Sequence, residues 1–278
     1  MKKRLIIFFG LVIILGFSLQ SIAQFTKEEL AEREKWEEFL KTAEIVKQVQ
    51  PFDKREAVTE PWVLTLEKDG VTRDAIWKDV AGRAKGFMES WKWEIAAYRL
   101  DKYLGLNMVP PTVEKRFQGN RGSCQLWITS MMSLKKKFEE KIKTPSYKVF
   151  YWNRAFYKQR AFDNLIANGD RHQNQHLITE DWRMILIDHS RSFQTSKKFT
   201  KKLIYDEKYK EGPTFIMKEL PRALYEKIKS LNAEGIKGVV GEYLTDKEIE
   251  AMLVRKDLIV KWVENRIKEL GEDKVLYD

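Results

Sequence analysis

Apolar and polar positions change period several times along this chain, and each change marks an element. Leu30, Trp36, Phe39, Leu40, Ala43 and Val46 recur at helical spacing behind Thr26-Lys27-Glu28-Glu29, where Thr and Glu three apart cap each other's backbone N–H groups. That pattern predicts an amphipathic helix within residues 24–43. Residues 45–49 and 62–67 are strand-like, Asp69-Gly70 is a strong hairpin turn, and residues 71–77 return toward Lys78. Residues 81–87, with Gly82 and Gly86, read as a connector. Helical spacing resumes at 91–104, with Trp93, Ala96, Ala97, Leu100 and Leu104 on one side. Residues 111–117 and 122–129 flank a further turn at Asn120-Arg121-Gly122.

Beyond residue 130 the helical period dominates. Residues 131–143 form a basic helical stretch. Residues 147–167 carry Phe150, Trp152, Phe156, Tyr157, Phe162, Leu165 and Ile166 on several faces, as a central buried helix does. Leu220, Leu224 and Ile228 continue the period. Thr245-Asp246-Lys247-Glu248 is a second capping box, opening a helix with Ile249, Met252 and Leu253. Leu258, Val260, Trp262, Val263, Ile267 and Leu270 predict a last helix, closed by Gly271. A strand-rich half with one helix (44–130) precedes a helix-rich half (131–278), which is an α+β arrangement.

One stretch, residues 161–193, departs from plain packing logic. The apolar run ends at Asn168-Gly169, and six polar residues follow, Asp170 to Gln175. His176-Leu177-Ile178 is β-prone, Glu180-Asp181 turns the chain, and Met184-Ile185-Leu186-Ile187 reads as a buried strand closed by Asp188. The hairpin brings Asp170 and Asp188 to one edge. Phosphoryl transfer uses such a pair: one carboxylate orients the acceptor hydroxyl and takes its proton, the other holds a metal on the nucleotide phosphates.

Composition adds compartment and charge. Met1-Lys2-Lys3-Arg4, an apolar run over 5–19 and Ser21-Ile22-Ala23 make a secretory signal peptide, residues 1–23, cut near Ala23. An uncleaved anchor is the rival, for which the run is short. Loss of Lys2, Lys3 and Arg4 takes the formal net charge from +10 to +7, with Lys and Arg spread and no nucleic-acid motif. With one cysteine, Cys124, an exported chain has no internal disulfide, so its core carries stability alone. The expected location is periplasmic or extracellular, with no membrane span in the mature chain.

The string GDRH, an amide-rich turn, and an apolar strand ending in IDH resemble the catalytic core of atypical protein-kinase-like enzymes. These are the phosphatidylinositol 3- and 4-kinases, the secretory-pathway casein-type kinases and the HipA-type kinases, here as an exported bacterial-type member. The resemblance implies a bilobed fold with a small β-rich N-lobe and a helical C-lobe. It implies ATP and Mg²⁺ or Mn²⁺ as cofactors, Asp170 as catalytic carboxylate and Asp188 as metal ligand. Arg171 and His172 brace the loop or neutralise phosphate charge, and Asp163 and Asn168 tie it down. The family places Asn where this chain has Gln175, with Asn174 one residue earlier; either amide oxygen is able to ligate a hard cation. Lys78, ending Ala75-Ile76-Trp77-Lys78, is the phosphate-reaching lysine by order, and Glu94 its partner, with Glu89 second choice. The glycine-free loop at 53–61 would cover the phosphates, and residues 194–212 would form the activation or substrate loop. The implied function is phosphotransfer to a hydroxyl of a protein, lipid or glycan. Nucleotide binding without catalysis, transfer of AMP on the same fold, and an exported binding module stay open.

Overall fold

The computed structural model describes residues 25–50, 61–84, 86–205 and 217–278. The signal-peptide segment, nearly all of the 53–61 loop and the later part of 194–212 lie outside the described residues.

The N-terminal capping box forms: Glu29 N–H donates to Thr26 Oγ1 at 3.2 Å and Thr26 N–H to Glu29 Oε2 at 2.6 Å. The expected single helix is two, α1 (Lys27–Ala31) and α2 (Arg33–Thr42), meeting at Glu32. Val46, which continued the helical period, lies instead in strand β1 (Glu44–Val49) and is exposed. The apolar stripe ends where Ala43 leaves α2 in extended conformation. Strands β2 (Trp62–Lys68) and β3 (Val71–Lys78) form the expected hairpin. Asp69 and Gly70, at φ 52° and 74°, both take the left-handed conformation that a two-residue hairpin turn demands.

The stretch expected as a connector is a second small hairpin, β4 (Ala81–Ala84) and β5 (Phe87–Ser90). It shows no apolar alternation because backbone pairing and polar tethers, rather than a core face, hold it. Helix α3 (Trp91–Leu104) follows, its start capped by Ser90 and its end by Gly105 at φ 73°. Strands β6 (Thr112–Phe117) and β7 (Asn120–Leu126) complete an antiparallel five-stranded sheet in the order β1-β2-β3-β7-β6. Phe39 and Leu40 of α2 pack on Leu64, Leu66, Ala75, Trp77, Val113, Phe117 and Cys124 of that sheet. Lys115 is buried and donates to the carbonyls of Leu40 (3.0 Å) and Ala43 (2.7 Å), satisfying acceptors that the end of α2 leaves open. Gly122 of β7 lies against the end of β3: a Cβ there would sit 2.5 Å from the Lys78 carbonyl oxygen and 2.6 Å from the Trp77 ring.

The basic helix expected over 131–143 shrinks to α4 (Leu134–Glu139), because Met132–Ser133 is taken as strand β8. Helix α5 (Val149–Ile166) is buried along most of its length. Beyond it, β9 (His176–Ile178) and β10 (Met184–Leu186) form a three-stranded sheet with β8, in the order β10-β9-β8. A short strand β11 (Leu220–Pro221) leads into α6 (Arg222–Ser230) and α7 (Ala233–Val240), and β12 (Leu276–Tyr277) returns to pair with β11 in parallel. The two expected C-terminal helices are one continuous α8 (Asp246–Leu270). The charged run Arg255-Lys256-Asp257 separates the two apolar sets, but Arg255 is an inward residue. Its guanidinium donates to the carbonyls of Leu165 (2.8 Å) and Gln194 (2.9 Å), binding α8 to the end of α5 and to the chain after Asp188. Helices α3, α5, α6, α7 and α8 share one apolar core. Among the described residues no helix is long and apolar enough to cross a membrane.

Candidate active site

Lys78 stands at the end of β3, opposite Ser123 of β7. Its Nζ lies 2.7 Å from Glu94 Oε1, in the first turns of α3, and 2.8 Å from Asp188 Oδ1, beyond β10. Three residues from separate elements thus form one charge cluster. Glu94 is nearly sealed, whereas 37% of the Asp188 side chain is open. Burial alone would weaken the Lys78 ammonium, but the Asp188 and Glu94 carboxylates outweigh it and hold its pKa above the ordinary lysine value. The same balance, with burial opposing and Lys78 prevailing, holds Glu94 and Asp188 below the usual carboxylate range. Glu94 Oε2 accepts the backbone N–H of His189 at 2.9 Å, so α3 grips both the lysine and the chain after Asp188. Asp188 has φ 61°, in the left-handed region that aspartate tolerates better than most residues.

The loop before β9 is fixed from beneath. Helix α5 ends at Ala167 in left-handed conformation, and Asn168 N–H returns to the Asp163 carbonyl at 2.9 Å. Asn168 Oδ1 accepts the Asp170 N–H at 3.3 Å, and Tyr205 donates its hydroxyl to the Asn168 carbonyl at 2.9 Å. Arg171 turns inward. It pairs with Asp163 through two nitrogens (3.0 and 3.1 Å), both side chains having no exposed surface, and donates to the carbonyls of Ile187 (2.6 Å) and Gln175 (3.3 Å). Its Nη2 is 2.8 Å from His189 Nε2, and since guanidinium only donates, His189 accepts there. Burial, then Arg171, pushes the His189 pKa down, in keeping with a neutral ring. So Arg171 ties the loop to α5 and to the chain before Asp188, with no side-chain surface exposed. His172 is exposed.

Gln175 is buried and reaches Asp188: its Nε2 donates to Oδ2 at 3.1 Å, and its Oε1 accepts the His172 N–H at 3.3 Å. Asn174 is exposed. Of the two amides weighed as metal ligands, Gln175 faces Asp188. In this orientation it brackets the carboxylate instead of offering an oxygen beside it.

Asp170 faces outward, 34% of its side chain exposed, and Oδ2 accepts Arg191 Nη1 at 3.0 Å. Arg191 also donates to Glu89 Oε1 from Nε (2.7 Å) and Nη2 (2.6 Å). Glu89, the second candidate for pairing with Lys78, therefore belongs to Arg191. Sequence reasoning passed over Arg191; the available signal was a lone charge in Ser190-Arg191-Ser192-Phe193, three residues after Asp188. A cavity of about 660 Å³ opens elsewhere, lined by Glu37, Tyr98, Arg99, Glu114 and Tyr243 among others. It does not include the Lys78 cluster, and both its carboxylates are already paired, Glu37 with Lys102 and Glu114 with Arg121.

No protein-family model matches this sequence, and no curated protein matches it. Solved structures do. The structure of hydra Fam20 with sugar aligns over 92% of this chain and 95% of its own, at 15% identity and TM-score 0.66. The Golgi casein kinase with Mn/ADP bound aligns over 92% and 80%, at 16% identity and TM-score 0.62. A further structure of the Golgi casein kinase aligns over 92% and 79%, at 15% identity and TM-score 0.63. Identities this low speak to fold alone, and that fold is bilobed and protein-kinase-like, with a β-rich N-terminal lobe and a helical C-terminal lobe.

Proposed function

We propose that this protein is an ATP-dependent phosphotransferase of the atypical-kinase kind, acting on a hydroxyl of a protein, lipid or glycan. The observation that carries the reading is Lys78 held between Glu94 and Asp188 at 2.7 and 2.8 Å in a kinase-like fold. A lysine so placed steadies nucleotide phosphates, and a glutamate on the following helix keeps it in place. Residues 44–130 would form the nucleotide-binding lobe and residues 131–278 the lobe with the catalytic loop.

The donor set fits a hard divalent cation. Mg²⁺ is commonly held by one or two carboxylates with the substrate phosphates completing its shell. Asp188 offers a part-open carboxylate, and among the described residues there is no cluster of three or more His, Cys, Asp or Glu to replace the phosphates. Mg²⁺ or Mn²⁺ bound there would neutralise charge on the transferring group. Gln175 holds Asp188 in orientation. Asp170 orients the acceptor hydroxyl and takes its proton as the acceptor oxygen bonds phosphorus and the bond to the ADP leaving oxygen breaks. The neighbour solved with Mn/ADP supports the cofactors, and the one solved with sugar keeps glycan hydroxyls among the acceptors. Export rests on the N-terminal signal pattern. A second reading, nucleotide binding without transfer, rests on Gln175 standing where the family places Asn.

The test is a thermal shift with ATP plus Mg²⁺ or Mn²⁺, on the protein and on Asp188→Ala, followed by labelled-phosphate transfer. Metal-dependent stabilisation lost in the variant, with transfer, supports the enzyme. Stabilisation without transfer supports the second reading. No shift at millimolar nucleotide sinks both.

A further inference from the structure

The hairpin β4–β5 and the chain after Asp188 are stitched together beside Asp170. Ser90 N–H donates to the Ser190 carbonyl at 2.9 Å, and the Gln194 amide donates to the carbonyls of Met88 (3.3 Å) and Arg191 (3.1 Å). Between them lies Arg191, its guanidinium carbon 4.6 Å from the centre of the Phe87 ring. The Glu89 side chain has no exposed surface. Its Oε2 has no partner among the described residues, so Arg191 supplies the charge that a buried carboxylate requires. That commitment uses Nε and Nη2 and leaves Nη1 as a donor of fixed direction, aimed at Asp170 Oδ2. Asp170 Oδ1 makes no hydrogen bond to another described residue.

We propose that Arg191 is a positioning residue for Asp170, anchored by Glu89 and Phe87. It holds one carboxylate oxygen so that the other faces the acceptor hydroxyl. A carboxylate pinned at one oxygen loses its freedom to swing, and the acceptor meets a base already oriented. Lysine cannot replace it, because one ammonium does not reproduce the planar fork that spans Glu89 and Asp170 together. This inference rests on the phosphotransfer reading above.

The test needs no known substrate, since water serves as the acceptor in basal ATP hydrolysis. kcat and KM for ATP with Mn²⁺, and the nucleotide thermal shift, are measured for the protein, Arg191→Lys, Asp170→Asn and the double variant. Glu89→Gln/Arg191→Gln, which removes both charges together, serves as a second probe where Arg191→Lys folds poorly. Arg191→Lys is expected to lower kcat about 100-fold, with KM for ATP and the thermal shift within two-fold of the parent. In the double variant its effect should vanish, since an arginine acting through Asp170 has nothing left to position. A residue that only supports the fold would instead multiply with Asp170→Asn. Unchanged turnover in Arg191→Lys, multiplied effects, or faster turnover, which would make Arg191 a brake, each overturns the proposal alone. Absence of turnover in the unsubstituted protein overturns the phosphotransfer reading and this inference together.

Discussion

Asp170 and Arg171 are neighbours in the chain but belong to regions built on opposite principles. Arg171 enters a sealed network with Asp163, His189 and two backbone carbonyls, in which the protein supplies the main partners itself. Asp170 and Asp188 belong to an open network, where each carboxylate has protein partners and keeps an accessible edge, 34% and 37% of the side chain respectively. Both networks are ionic and both draw on the loop between α5 and β9. The difference lies in what remains unsatisfied. A closed ion pair fixes geometry; a charge with an open edge is available to a ligand. The sealed region shapes the loop, and the open one does the proposed chemistry.

The contrast is broken most directly at Asp188. Asp188→Ala should abolish metal-dependent nucleotide stabilisation and cut transfer by about 1000-fold or more, which is about 4 kcal/mol of transition-state stabilisation, while the protein stays folded. A variant that unfolds instead would place Asp188 with the sealed, structural group. Arg171→Met should do the reverse. It strands Asp163 as a buried carboxylate, and losing one partner of a buried pair costs about 3–5 kcal/mol. Urea unfolding reads that loss, and a midpoint unchanged from the parent would mean the sealed network carries no stability. A smaller effect is expected at Gly122→Ala. The added carbon meets backbone and an indole ring, so overpacking should cost about 1–3 kcal/mol and shift the end of β3. Nucleotide affinity should fall with it, because Lys78 is the residue displaced; loss of stability with affinity intact would separate the two.

Much of this was legible from sequence. The Asp69-Gly70 turn, both capping boxes and the helices α3 and α5 announce themselves by local chemistry and period. Lys78 and Glu94 were picked by order along the chain, and they do meet. Other features left no local trace. Which of two adjacent loop residues faces inward is set by what lies beneath, here Asp163 eight residues earlier, and periodicity says nothing about it in a loop. Arg255 hid the continuity of α8 because a charged residue occupies a core position, made tolerable by two carbonyls from elsewhere in the chain. The hairpin β4–β5 was invisible for a related reason: its anchor is Glu89 on Arg191, about a hundred residues away.

A third buried carboxylate sharpens the comparison. Asp101 is as sealed as Asp163, with no exposed surface in either residue. Yet burial pushes the Asp101 carboxyl up to about 7, only partly opposed by the Met108 backbone N–H at 2.8 Å, whereas Arg171 overcomes burial and pulls Asp163 down. At equal burial the partner decides the sign. The pH dependence of stability follows. Asp163, depressed below its unfolded value of about 4, contributes stability present above that pH and lost as pH falls through the folded value. Asp101, raised to about 7 in the folded state, does the opposite: its contribution is complete below about pH 4 and is lost as pH rises through 7. Asp101→Asn keeps an oxygen for the Met108 N–H and removes the titration. The parent should therefore lose more stability than the variant between pH 5 and 7.5, by about 2 kcal/mol, as read by urea unfolding at each pH. Parallel pH profiles would mean that Asp101 keeps its charge at neutral pH, and that the Met108 and Val109 N–H groups, with Arg33 and Lys158 nearby, are enough to hold a carboxylate ionised in this core.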